Sequence, residues 1–299
     1  MPESADFAAD YAALREEAGG VWLPRDFLTV NGPDALSYLQ GQLSQEVDID
    51  NGLSAWALLL QPQGKLVAFL RVLRQGPERF VLETDAGFGE VVRERLNRFK
   101  LRVKADVEAL DWKCLAVRGP AAHEAVAGGA GTVVVSDWDG LPGADLVAES
   151  PEPPRALRIC GLDAYEAVRI EAGIPVMGKE LDENTIPAEA GVVDRSVSFT
   201  KGCYTGQELV ARIDSRGGNV PRRLRGVVLG SDVLPPPGAA VRAGEKDVGR
   251  LTSVAHSPRW GAAVALAYVG RAVTPPAEVT VVWDGESAPA QVETLPLVS

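Results

Sequence analysis

The C-terminal part of the chain constrains the fold most, because it holds only short apolar runs separated by glycine and proline turns. A proline-rich turn at Leu234–Gly238 lies among these runs, and none has the length of an ordinary helix. The pattern predicts a small antiparallel β-barrel or sandwich that closes the chain. The runs are Val227–Leu229, Ala240–Val241, Val248–Val254, Ala262–Val269 and Val279–Trp283.

The residues before this region mix helical and strand patterns. Trp56–Leu60 and Leu66–Leu73 read as strands, and Phe88–Phe99 carries apolar residues at helical spacing. Adjacent strands joined by short turns, with helices before and after them, favour an α+β fold over a doubly wound parallel sheet. We predict a first α+β lobe at residues 1–110, which could be discontinuous, a second at 111–222, and the barrel at 223–299.

Charge and apolar patterning exclude several classes of protein. The net charge of −11 and the pI near 4.8 argue against binding nucleic acid or an anionic membrane through the protein's overall electrostatic field. The acidic N-terminus predicts no signal peptide, and no apolar run approaches the roughly 18 residues of a membrane helix. We expect a monomer, since the composition is ordinary for a globular protein.

The cysteine content indicates a reducing compartment. The chain has three cysteines, Cys114, Cys160 and Cys203, which are far apart and form no CxxC pair. Only two histidines are present, so a self-contained metal cluster is not expected. We therefore predict a cytoplasmic protein with no disulfide framework and no resident metal.

The segment K-G-C-Y-T-G-Q-E, Lys201–Glu208, places a cysteine just before a predicted helix. Thr205 and Glu208 have the spacing of a capping box, which would put the N-cap at Thr205. The helix dipole and Lys201 would both stabilise a thiolate at Cys203. The alternative is that Cys203 is an inert filler of a tight turn, since many cysteines are buried.

Two further segments could bind a ligand. The R-I-E-A-G-I-P segment, Arg169–Pro175, lies at the end of a predicted helix that Gly173 would terminate. The Glu171 carboxylate there could accept hydrogen bonds from a heterocycle, or could simply be solvated. Five arginines follow the K-G-C-Y-T-G-Q-E segment, and they could hold a carboxylate or phosphate or lie on a solvated linker. These are Arg212, Arg216, Arg222, Arg223 and Arg225.

Together these features resemble one family, the YgfZ-type folate-binding proteins, which are related to the glycine cleavage T-protein (aminomethyltransferase). The K-G-C-[aromatic]-x-G-Q-E signature of that family is complete at Lys201–Glu208. The R-x-E-x-G-x-P segment, Leu115–Pro120 and Val248–Ser253 resemble the wider T-protein group. The resemblance covers nearly the whole chain.

The resemblance implies a fold, a ligand and a role. It implies a three-lobed cloverleaf around a channel for tetrahydrofolate or a one-carbon derivative of it. It also implies an accessory role in making or repairing iron–sulfur client proteins, including a tRNA-modifying enzyme.

The resemblance also implies site residues. Cys203 and Lys201 take the reactive positions, and Glu171 takes the position of a pterin-binding carboxylate. The remaining expected folate-binding residues are Arg169, Tyr204, Gln207, Glu208 and Arg223.

One departure separates the chain from the aminomethyltransferases. Those enzymes carry two aspartates on a strand where this chain has Ala68 and Phe69, and neither side chain can transfer a proton. The leading hypothesis is therefore a folate-binding accessory protein rather than an aminomethyltransferase. A folate-dependent one-carbon enzyme and a non-catalytic scaffold of the same fold are the alternatives.

Overall fold

The computed structural model describes residues 5–215 and 217–298. These residues form two five-stranded sheets and a closed six-stranded barrel. No helix within the described ranges is long and apolar enough to cross a membrane.

The strands are named in chain order. They are β1 (Gly19–Leu23), β2 (Arg25–Asn31), β3 (Ser54–Leu60), β4 (Leu66–Arg74), β5 (Arg79–Asp85), β6 (Asp106–Leu110), β7 (Lys113–Arg118), β8 (Ala130–Val135), β9 (Gly143–Glu152), β10 (Arg158–Ile159), β11 (Arg222–Leu229), β12 (Ala240–Ala243), β13 (Lys246–Ser257), β14 (Ala262–Gly270), β15 (Ala277–Trp283) and β16 (Glu286–Glu293).

The helices are named in the same way. They are α1 (Ala5–Glu16), α2 (Ala35–Gln42), α3 (Gly89–Arg98), α4 (Ala122–Ala125), α5 (Leu162–Ala172), α6 (Pro187–Ala190), α7 (Val193–Ser196) and α8 (Gln207–Ser215).

The first sheet has the order β3-β4-β5-β2-β6, and all its neighbours are antiparallel. Strand β4 is buried along almost its whole length because the sheet is covered on both faces. Leu39 and Leu96, from α2 and α3, pack on one face. On the other face, Leu73 belongs to a buried hydrophobic cluster that also contains Cys114 and Val147 of the second sheet. The two sheets therefore pack against each other, as expected for stacked layers.

The second sheet has the order β10-β1-β7-β9-β8. Strand β1, near the N-terminus, pairs antiparallel with β7 and parallel with β10. Helix α1 packs on α5 beside it. The predicted boundaries at residues 110 and 222 stay predictions, but the strand pairing adds α1 and β1 to the second lobe, ahead of the whole first sheet.

The C-terminal region is a closed antiparallel barrel with the order β11-β14-β13-β12-β15-β16. This confirms the predicted barrel and excludes the open sandwich. The side chains that fill it are small and branched, such as Val227, Ala265 and Val281, which suits a narrow interior. Strand β16 was not among the predicted strands.

Helix α5 lies where the lobes meet. It contacts α1, β13 and β14, and most of its residues are buried. It ends as predicted at Gly173, which adopts a left-handed conformation with φ 72°. The side chain of Leu295 packs so closely on Gly173 that a Cβ there would lie 2.9 Å from it.

Candidate functional site

The K-G-C-Y-T-G-Q-E turn, residues 201–208, is fixed to the end of α2 through Lys201. The Lys201 ammonium donates to Gln40 Oε1 at 2.8 Å, the Leu43 carbonyl at 2.9 Å and the Gln45 carbonyl at 2.7 Å. These bonds use all three of its donors. Burial lowers the pKa of Lys201 to about 8, and the Glu46 carboxylate opposes that shift. Lys201 therefore positions the turn.

Cys203 is the exposed cysteine of three free cysteines, because Cys114 and Cys160 are buried. The next residue, Tyr204, is buried in the large central core, and its ring lies 5.6 Å from the Lys201 ammonium. Thr205 donates its amide to the Gly41 carbonyl at 3.2 Å. The turn is thus anchored on both sides of Cys203 while the thiol faces solvent, which contradicts the alternative of a buried filler.

The predicted capping box is wrong. The helix begins at Gln207, so Thr205 lies in the turn before it. Gly206 forces this shift: it has φ 84°, and a Cβ there would meet the Gln61 carbonyl at 2.5 Å. The Gln207 side chain makes the local hydrogen bond instead, accepting from the Tyr204 amide at 3.1 Å. Glu208 is exposed on the first turn of the helix.

Arg169 is completely buried and holds two lobes together, so the expectation of a solvated helix end is wrong. Its guanidinium donates to both carboxylate oxygens of Glu166, to Glu180 Oε2 at 3.1 Å and to Ser253 Oγ at 2.8 Å on β13. The other oxygen of Glu180 accepts from Thr252 at 2.8 Å and from Ser253. The two segments that resemble the T-protein group thus bind each other.

Glu171 is equally buried and already has protein partners. The Tyr11 hydroxyl lies 2.8 and 3.0 Å from its two carboxylate oxygens, and Ser257 of the barrel donates to one of them. Arg15 forms an ion pair with it at 3.6 Å. The pterin-binding role of Glu171 stays a prediction, while the observed contacts join α1, α5 and β13.

The arginine cluster does not converge on one site. Arg222 pairs with Glu189 at 2.9 Å and lies over the Tyr268 ring, and Arg223 donates to the Gly218 carbonyl. Arg212 is exposed, and burial lowers the pKa of Arg225. Arg216 lies outside the described residues.

An enclosed cavity lies between the lobes and is lined by aromatic rings. Trp56 and Phe69 stack with their ring centroids 4.7 Å apart. Trp138 and Tyr165 meet edge to face at 5.6 Å. About 20 Å³ of free space remains, so a planar ligand would enter only after these rings rotate. None of the predicted site residues is among the described residues that line this central cavity.

A buried ion network forms one side of the central cavity. Arg118, which lines it, donates to Asp145 Oδ1 at 2.8 Å, and Arg71 reaches Asp145 Oδ2 at 2.8 Å and also binds Glu83. Arg25 pairs with Asp85 at the opposite end. The network joins the two sheets across their interface, so each buried charge has an opposite partner.

Three potential metal-ligand atoms lie together in this network, on Glu83, Cys114 and Asp145. Both carboxylates already pair with arginines. Burial raises the pKa of Cys114, and the two carboxylates raise it further. A buried neutral thiol between arginine-bound carboxylates is a poor cation site.

Gln45 connects the central cavity to the K-G-C-Y-T-G-Q-E turn. Its side-chain amide donates to the carbonyl of Arg195, which lines the cavity, at 3.4 Å. Its own carbonyl accepts from the Lys201 ammonium. The two candidate sites are therefore neighbours linked by one residue.

The sequence motifs missed the cavity residues because these come from distant parts of the chain. Two signals were present. Arg118 lies in the Leu115–Pro120 segment that resembles the T-protein group, and Arg195 precedes the K-G-C-Y-T-G-Q-E segment by only six residues. Trp56, Trp138 and Tyr165 gave no signal beyond their apolar character.

Comparisons with known proteins agree with this architecture. Residues 222–299 match the glycine cleavage T-protein C-terminal barrel domain. The crystal structure of glycine cleavage system aminomethyltransferase T from Bartonella henselae superimposes with a TM-score of 0.84 at 22% identity, covering 98% of this chain and 89% of that one. The chain has the glycine cleavage T-protein fold.

Relatives of two kinds match the sequence of this T-protein-like chain. An aminomethyltransferase from Streptomyces avermitilis is 27% identical, covering 96% of this chain and 88% of that protein. A tRNA-modifying protein YgfZ from Edwardsiella ictaluri is 31% identical over 66% of each chain. The fold is therefore established, and the resemblance to the YgfZ-type branch stays a prediction.

Proposed function

We propose that this protein binds tetrahydrofolate and serves as an accessory protein in the assembly or repair of iron–sulfur enzymes, including tRNA-modifying ones. The observation that carries the proposal is Cys203, an exposed thiol on a turn that Lys201 and Tyr204 anchor. A thiol held in this way is available to a second molecule. One cysteine cannot hold a cluster, which generally needs about four ligands, so Cys203 would act as a nucleophile, a redox group or a transient ligand.

The central cavity is the proposed folate site. Its stacked and edge-on aromatic rings suit a planar heteroaromatic ligand, and one of its lining residues, Arg118, has a buried Nε without a hydrogen-bond partner. Tetrahydrofolate supplies a carrier for one-carbon units when bound. The chain's own residues would enclose the ligand and exclude water from it.

Aminomethyl transfer is the second candidate, favoured by the aminomethyltransferase relatives that match along nearly the whole chain. The side chains on β4 count against it. Ala68 lies in the core of the first lobe, and Phe69 stacks on Trp56. The carboxylate that lines the cavity, Asp85, already accepts from Arg25 and from the Met177 amide. No free acid or base among the described cavity residues is placed for proton transfer.

Titration of the full chain with tetrahydrofolate, by calorimetry and by tryptophan fluorescence, tests the proposal. We expect saturable binding with a fluorescence change, because Trp56 and Trp138 line the cavity and must move. No heat and no fluorescence change at high micromolar ligand would leave only the scaffold alternative. Turnover of methylene- or formyl-tetrahydrofolate by the purified chain would favour the one-carbon enzyme instead.

A further inference from the structure

A basic segment lies on the outside of the first sheet of this acidic chain. Six of the chain's 30 lysines and arginines fall within residues 93–104, against one acidic residue, Glu94. Helix α3 and the loop after it carry them. The helix packs on the face of the sheet that contains Ala68, while the neighbouring Phe69 points to the opposite face and lines the central cavity. The segment therefore creates a local positive field on a surface away from that cavity.

Three of these cations have no partner to neutralise them. Within residues 5–215 and 217–298, the side chains of Arg98, Arg102 and Lys104 make no hydrogen bond or ion pair. Burial lowers the pKa of Arg95, and the nearby charge of Arg98 lowers it further. The two guanidinium groups therefore repel each other, and an anion bound beside them would relieve the repulsion.

An apolar groove lies among these cations. It encloses about 460 Å³, and its apolar walls are Pro62 of the turn between β3 and β4, Val67 of β4, and Val91 and Phe99 of α3 and its C-terminal end. Val91 is 43% exposed and Phe99 is 41% exposed. Arg95 lies over the Phe99 ring at 3.8 Å and so leaves the other face of the ring open. Exposed apolar residues with a charged rim are typical of a surface that binds another protein.

The loop after α3 holds a leucine out in solvent. Leu101 is 84% exposed, and the next residue, Arg102, has φ 59°, in the left-handed region that an arginine rarely adopts. The loop is also fixed to the start of α2, because the Lys104 amide donates to Asp34 Oδ2 at 2.8 Å. Backbone strain of this kind, held in place by the surrounding structure, is typical of binding sites.

The groove borders the K-G-C-Y-T-G-Q-E turn. Gln61 lines the groove, and its carbonyl packs against Gly206 of the turn, where a Cβ would lie 2.5 Å from it. Arg95 of the groove donates to the carbonyl of the preceding residue, Leu60, at 3.1 Å. A protein bound in the groove would therefore lie next to the turn that carries the exposed Cys203.

We propose that the α3 surface, residues 91–104 with residues 61–63, binds an acidic segment of a partner protein. Apolar side chains of the segment enter the groove, and its carboxylates pair with Arg98, Arg102 and Lys104. Nucleic acid fits this surface less well, because the groove walls are mostly aliphatic and give bases no platform for stacking. The net charge of −11 would also repel a long phosphate backbone. Binding here requires no folate in the central cavity, so this role goes beyond the proposed function.

Fluorescence anisotropy on the full chain, with labelled probes, tests the proposal. The probes are a peptide of Glu and Asp with two leucines, the same peptide with serines for the leucines, the same peptide with Gln and Asn for the acids, and a single-stranded RNA of equal net charge. The acidic leucine peptide should bind most tightly, by about 10-fold or more over the serine peptide, because its leucines are buried.

A variant with a matched control tests the cations. Arg98→Gln combined with Lys104→Gln should weaken binding of the acidic leucine peptide by about 3- to 20-fold, the usual effect of losing two exposed ion pairs. Arg155→Gln combined with Lys246→Gln removes the same charge from exposed positions elsewhere and should change nothing. Raising the salt concentration should weaken binding to the wild type more than to the α3 variant.

Four results would overturn the proposal. Tighter binding of the RNA would assign the surface to nucleic acid, and self-association of the wild type that the α3 variant loses would assign it to a second copy of the chain. Equal affinity for the two acidic peptides would show that the groove takes no apolar side chain. Equal affinity of the wild type and the α3 variant would show that the cations do not bind the segment. The probe comparison uses only the wild type, so it decides even if the variant fails to fold. Loss of tetrahydrofolate binding in calorimetry would reject the proposed function and leave this surface unaffected.

Discussion

Two motif-bearing segments of similar polarity, Arg169–Glu180 and Lys201–Glu208, have opposite surroundings in the fold. In the first, Arg169, Glu171 and Glu180 are all buried and bound by protein groups from other lobes. In the second, the anchoring residues are buried or half-buried while Cys203 is exposed. Charged side chains in a motif can therefore hold a fold together, and the residue available for chemistry can be the one without a charge.

The largest effect on stability should come from replacing Arg169, which tests whether the first segment holds the fold together. Arg169→Met leaves Glu180 buried without its guanidinium partner, so the free energy of unfolding should fall by about 3–5 kcal/mol. Urea unfolding followed by circular dichroism measures it. Arg155→Met, at an exposed arginine, is the control and should stay within about 0.5 kcal/mol of the wild type.

A smaller loss of stability is expected from Glu171→Gln, which keeps the shape and removes the charge. Tyr11 and Ser257 would lose their ionised acceptor and Arg15 its ion pair, which should cost about 1–3 kcal/mol. The affinity for tetrahydrofolate should stay unchanged. A variant of wild-type stability with weakened folate binding would instead support the predicted pterin-binding role of Glu171.

The pH dependence of stability tests the environment of Lys201. Its pKa is about 8 in the folded chain and near 10.4 in a free side chain. Between these values the unfolded chain binds more protons, so the lysine's contribution to stability rises with pH. Relative to Lys201→Met, the wild type should gain about 1 kcal/mol between pH 8 and pH 10.5, after allowance for the half-exposed site. A flat or falling difference would contradict the lowered pKa.

The smallest effect on stability is expected at Cys203. Cys203→Ser should change the free energy of unfolding by less than about 0.5 kcal/mol, because the side chain is exposed. In the native wild type one thiol should react rapidly with a maleimide, and in the variant none should. Rapid labelling of the variant would mean that Cys114 or Cys160 is accessible, and the contrast between the two segments would weaken.

Local sequence patterns predicted the parts of the fold that depend on local periodicity. The barrel strands, helix α5 and its end at Gly173 follow from apolar spacing and from the left-handed glycine. Strand β16 could have been found, since Ala288, Ala290 and Val292 alternate with exposed residues. Strand β1 could not, because its partners β7 and β10 are distant in sequence and the pairing depends on tertiary structure.

The candidate site was predictable only where one segment carries it. Cys203 and Lys201 were named from their motif, but the direction of the Lys201 side chain depends on oxygens around the end of α2. The central cavity combines Trp56, Trp138 and Arg195 from separate elements, so no local pattern could place them together. Glu171 looked accessible because the sequence does not reveal that α1 and the barrel cover its helix.

The most direct measurement is complementation of a bacterial strain that lacks its own YgfZ-type protein, with the activity of an iron–sulfur tRNA-modifying enzyme as the readout. The wild-type chain should restore that activity. Cys203→Ala should fail to restore it, although its protein level in the cell and its melting temperature match those of the wild type. Cys160→Ala, which removes a buried thiol, should retain activity at equal protein levels. Full activity of Cys203→Ala would remove the exposed thiol from the function and contradict the role assigned to the K-G-C-Y-T-G-Q-E turn.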